Sequence, residues 1–100
     1  MAMLKSWASN YAAPKLVSGD FNATPDQVDG PLGMPGPFTD SWTVVGSGPG
    51  FTAFTPAPTM KLDFWFADAS GIAQPISSAV ETSTGTVSDH YPLATIFRIP

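Results

Sequence analysis

A chain of 100 residues with 43% hydrophobic and 12% aromatic content is one small domain, too apolar to remain disordered. Its net charge of -4, with four Lys and Arg in all, argues against a dedicated nucleic-acid module, which needs a basic stripe. The absence of cysteine excludes disulfide scaffolds and thiolate metal sites.

Leu4, Trp7 and Tyr11, with Ala8 and Ala12 beside them, recur at helical spacing and predict an amphipathic helix over 2–12, stopped by Pro14. This N-terminus reads as a helix rather than a signal peptide, and no apolar run approaches the ~20 residues of a membrane span. Lys15 to Ser18, closed by Gly19, suits a short buried strand. Residues 23–40 and 46–60 are rich in Pro and Gly and read as loops. Between them SWTVV forms a brief strand or a helical turn.

KLDFWFA, Lys61 to Ala67, reads as a strand with Leu62, Phe64 and Phe66 on one face. Lys61, Asp63, Trp65 and Ala67 occupy the other. Ile72 to Val80 holds a strand disturbed by Pro75, and PLATIFRI, from Pro92 to Ile99, is the last one. Both faces of these strands are largely apolar, which predicts a sheet covered on each side. One short helix cannot cover both.

Three polar groups interrupt this apolar framework. Asp20 and Asn22, in GDFNATPD, follow the first strand. Asp63 sits within an aromatic strand, where a lone carboxylate is costly unless paired. Asp89 and the single histidine, His90, lie in SDHYPL just before the last strand. Singly, each has an ordinary explanation: an Asx turn at Asp20 and Asn22, a loop cap at Asp63, a satisfied turn residue at His90. Together they describe a carboxylate that fixes an imidazole beside hard oxygen ligands, a device for phosphate-ester hydrolysis. Asp26, Asp29 and Asp40 read as solvated loop charges, and Trp7, Trp42 and Trp65 as core or interface aromatics. Ser18, Ser41 and Ser88 lack a paired base, and GSGPG lacks the lysine of a phosphate loop.

VSGDFNATPD, FTDSW, GFTAF, KLDFWF and VSDHYPLATIFRI, in that order, resemble the C-terminal half of the endonuclease/exonuclease/phosphatase superfamily, the deoxyribonuclease-I-like fold. The resemblance spans nearly the whole chain, so residues 1–100 read as one C-terminal half-domain. It implies an α/β (α+β) fold, half of a four-layered α/β/β/α sandwich, with one mostly antiparallel sheet and few helices. By the same resemblance Asp20 aligns or deprotonates the attacking water, and Asn22 contacts the scissile phosphate. Asp63 orients His90, which acts on the phosphate or as acid and base. Asp89 and Asp20 are the implied metal ligands, for Mg2+ or else Mn2+ or Ca2+.

Three features depart from the family pattern. Lys61 stands where arginine is more usual. The Asn and metal-binding Glu of the family's first half have no counterpart, since the only glutamate, Glu81, matches no catalytic position. The loop after GDFNATPD also takes the place of a helix common in relatives. A half-sheet with an uncovered apolar face predicts a covering partner: a second copy in a homodimer, which is favoured, or a separate chain carrying the first half, unless the chain is a truncated fragment. The implied function is a metal-dependent phosphoesterase acting on nucleic acid or a small phosphate ester. The alternative is a catalytically inactive half-domain serving as a dimerisation or binding module.

Overall fold

A computed structural model describes residues 12–29 and 38–100. The helix expected over 2–12 falls, but for Ala12, outside them. The first strand, β1, runs Leu16–Asp20, so Asp20 ends the strand rather than following it. A short helix, α1, spans Pro25–Asp29. Its start carries one half of a capping box: the Gln27 side chain accepts from the Thr24 N–H at 2.9 Å, and Pro25 occupies the first helical position. The expected loop over 23–40 therefore contains a helix, and it closes with β2, Phe38–Asp40. Asp40 then caps α2, Ser41–Val45, by accepting from the Trp42 N–H at 3.0 Å. SWTVV is the helical turn of the two expected alternatives. Residues 46–60 carry no named helix or strand.

The aromatic strand β3, Asp63–Asp68, pairs antiparallel with β1 on one side and β2 on the other. Its alternation sorts the side chains as the sequence predicts. Phe64 and Phe66 are buried in a core with Ala23, Val28 and Phe38, against which Val17 and Phe21 pack. Burying each ring contributes about 1.5–3 kcal/mol. The two rings are stacked, their centroids 5.6 Å apart, and Phe21 closes over both. Val28 explains why α1 exists: the capped turn carries one fully buried apolar side chain onto the Phe64 and Phe66 face.

The last two strands, β4 (Gln74–Val80) and β5 (Leu93–Arg98), form a separate antiparallel pair. Among the described residues the strands are thus divided between a three-stranded and a two-stranded sheet. Alternation tells which face a side chain takes, but not which strand becomes its neighbour. Pro75 cannot donate to a ladder, and the register shifts between Pro75 and Ser77. Trp65 joins the two sheets: its indole N–H donates to the Leu93 carbonyl at 3.0 Å, and its ring meets Phe97 edge-on at 5.9 Å.

The face of β5 that bears Leu93, Thr95 and Phe97 is half-buried, whereas Ala94, Ile96 and Arg98 are exposed. Ile96 is 62% exposed and Ile76, at the bulge, 50%. The outer face of this hairpin is open within a single chain and sets Ile76, Ala79, Ala94 and Ile96 among Gln74, Ser77 and Arg98. The result is a mostly antiparallel protein with few helices, consistent with the α/β class. Among the described residues no helix is long and apolar enough to cross a membrane.

Candidate active site

Strand pairing places the first two site residues. Asp20 at the end of β1 lies directly opposite Asp63 at the start of β3, so both carboxylates project from the same face. Two like charges at a cross-strand pair repel unless something positive or hydrogen-bonding lies between them. His90 fills that role. Its Nδ1 lies 2.6 Å from Asp63 Oδ2, and its Nε2 lies 3.9 Å from Asp20 Oδ2.

Local geometry decides which oxygens of Asp20 remain available. The Asn22 N–H donates to Asp20 Oδ1 at 2.7 Å, an Asx turn, and Asn22 itself adopts φ +49° in the left-handed region that asparagine tolerates. The turn and the site are therefore not alternatives. One oxygen of Asp20 closes the turn, and the other faces the imidazole. The Phe21 N–H donates to the Leu62 carbonyl at 2.9 Å, which ties this turn to the approach of β3.

The 46–60 segment, read from sequence only as loop, holds the histidine in place. Ala53 forms an isolated bridge with His90, and the Tyr91 N–H donates to the Thr52 carbonyl at 2.8 Å. Thr55 grips the preceding residues twice: its N–H donates to the Asp89 carbonyl at 3.0 Å, and its hydroxyl donates to the Ser88 carbonyl at 2.6 Å. Ser88 Oγ accepts from the His90 N–H at 3.2 Å. The Phe54 ring meets the imidazole edge-on at 6.0 Å. GFTAF was legible as a motif, but its task of clamping SDHY was not, because that task runs through backbone groups.

The hydrogen bond with Asp63 raises the His90 pKa above its ordinary value. The negative charges of Asp63, Asp20 and Asp89 act in the same direction, and partial burial opposes them. His90 is thus suited to hold a proton. In the neutral ring, donation from Nδ1 to Asp63 leaves the Nε2 lone pair facing Asp20.

Asp20, Asp63 and His90 also bring one potential ligand atom each to within 4.8 Å of one another. Two carboxylates supply the hard oxygens that magnesium or calcium prefers, so the donor chemistry fits a divalent cation. Asp89 is exposed and outside this close group; it contributes the negative charge it places near His90. The structure thus gathers Asp20, Asp63 and His90 at one point, with Asn22 on the adjoining turn and Asp89 next along the chain.

The family model described as the Endonuclease/Exonuclease/phosphatase family matches residues 3–90, a span that contains every one of these positions. The chain belongs to the endonuclease/exonuclease/phosphatase family. Its members hydrolyse phosphoesters and are generally metal-dependent, and a phosphoesterase or nuclease-like function follows for this chain at that level. No curated protein and no solved structure gives a significant match.

Proposed function

We propose that this chain is a metal-dependent phosphoesterase in which Asp63 and His90 act as one unit beside Asp20 and Asn22. The observation that carries this reading is the imidazole bonded to Asp63 through one nitrogen while the other faces Asp20. Asp63 fixes the ring and its tautomer, so that Nε2 is the atom that holds or delivers a proton at the phosphate or leaving oxygen. Asp20 Oδ2 aligns the attacking water and accepts its proton, and the Asn22 amide contacts the scissile phosphate. Asp20 would hold Mg2+ where it meets Asp63 and His90, with Mn2+ or Ca2+ as substitutes, and the neighbouring Asp89 would add negative charge there. Bound there, the ion supplies positive charge to a phosphate group that an acidic chain otherwise repels.

The scarcity of basic residues favours small phosphate esters over tight binding of long nucleic acid. Ile76 and Ile96, exposed on the β4–β5 hairpin, support self-pairing into a homodimer about a two-fold axis.

The test is hydrolysis of plasmid DNA and of bis-p-nitrophenyl phosphate, with Mg2+ and with chelator. The reading predicts metal-dependent turnover that His90→Ala abolishes. Turnover indifferent to His90→Ala removes the assigned site, and no turnover on any phosphoester favours a non-catalytic binding module.

A further inference from the structure

Lys61 is a buried cation for which the proposed chemistry has no use. Only 3% of the residue is exposed, an unusual state for lysine. A buried ammonium is costly unless its donors and charge are satisfied. Here its Nζ donates to the carbonyl of Asp63 at 2.5 Å, lies 4.4 Å from the Phe64 ring centroid and 5.4 Å from that of Trp42. Both rings are within the range of cation–π attraction.

Trp42 is itself fixed. Its indole N–H donates to the Gly48 carbonyl at 2.9 Å, and its ring lies so close to Gly46 and Gly50 that a Cβ at either would overlap it, at 2.2 and 2.6 Å. The next residue is tied on both sides of its backbone. The Leu62 N–H donates to Thr52 Oγ1 at 3.3 Å, and the Leu62 carbonyl accepts from Phe21. Lys61, Leu62 and Asp63 are thus pinned in succession where β3 begins, and the carboxylate aimed at His90 is the third of them.

We propose that Lys61 is a positioning residue: its ammonium, held by Trp42 and Phe64, fixes the Asp63 backbone so that the carboxylate meets His90. Burial lowers the Lys61 pKa, with the charges of Asp40 and Asp63 opposing that fall. Both carboxylates thus favour the charged ammonium. The role deepens the phosphoesterase reading and rests on it only for its kinetic consequence; the effect on His90 stands independently.

The test compares Lys61→Met and Lys61→Arg with the wild-type chain, in chelator, by the low-field proton resonance of a hydrogen-bonded His90 Nδ1–H. Lys61→Met should lose or strongly shift that resonance while circular dichroism shows an intact fold, and Lys61→Arg should restore it. Where phosphoester turnover is measurable, Lys61→Met should lower kcat about tenfold or more with KM little changed. A Lys61→Met protein that keeps the wild-type His90 resonance overturns the proposal, whatever its activity. Should Lys61→Met fail to fold, the native chain decides. Its Lys61 ammonium protons should exchange with water far more slowly than those of a free lysine, and exchange at the free rate refutes the anchoring.

Discussion

His90 Nδ1 and Asp63 Oδ2 lie 2.6 Å apart although 27 residues separate them in the chain. The contact closes the loop between the start of β3 and the start of β5, and it is where the two sheets share a functional group. Both side chains are 19% exposed, so the pair is shielded yet reachable by a ligand. Because the imidazole also faces Asp20, one ring reconciles two carboxylates that strand pairing places side by side.

That arrangement makes stability depend on pH with a definite sign. Asp63 raises the histidine's pKa in the folded chain above the unfolded value of about 6.5. The stabilisation is fully present below that value and is lost as pH rises through the higher folded one. In chelator, the wild-type thermal midpoint should therefore exceed that of His90→Gln by more at about pH 6 than at about pH 8. A difference independent of pH over that interval would show that the imidazole gains nothing from its neighbours.

The core makes a larger prediction. Phe66 is fully buried, stacked on Phe64 and covered by Phe21. Phe66→Ala should cost about 3–5 kcal/mol in a urea titration, a large part of a small domain's stability. A loss below about 1 kcal/mol would mean that the rings are not packed as described.

The α1 cap predicts a smaller and separable effect. Replacing Gln27 with Ala removes the acceptor for the Thr24 N–H and should cost about 0.5–1 kcal/mol with an unchanged urea slope. An unaltered midpoint would show that the cap is not formed in solution.

How much of this was legible in the sequence follows from the kind of signal each feature leaves. The alternation in KLDFWF gave β3 and its buried face, because Phe64 and Phe66 share a parity that Asp63 and Trp65 do not. The turn chemistry of GDFN and the isolated His90 pointed to one end of the framework, and the structure brings Asp20, Asp63 and His90 together there. TPDQ carried a helix-start signal that the surrounding proline and glycine obscured; the side-chain cap and the buried Val28 outweigh the loop-like composition. The division into two sheets left no mark, since a strand's pattern fixes its faces and not its partner. Thr55 and Ser88 were equally silent, as their work is done largely on backbone carbonyls and N–H groups.

Self-pairing has its own outcome. A chain of 10.5 kDa should show about twice that mass in solution, and Ile96→Lys, placed on the exposed hairpin face, should return it to the single-chain value. A wild-type mass equal to one chain eliminates the dimer and leaves the site geometry untouched.

The central claim is that Asp63 and His90 work as one catalytic unit, and a double-mutant cycle on initial rates tests it most directly. With Mg2+ and bis-p-nitrophenyl phosphate, Asp63→Asn and His90→Ala should each lower kcat by roughly 100-fold or more, and the double variant should be no slower than the weaker single one. Losses that multiply in the double variant, or a His90→Ala protein as fast as wild type, would contradict it.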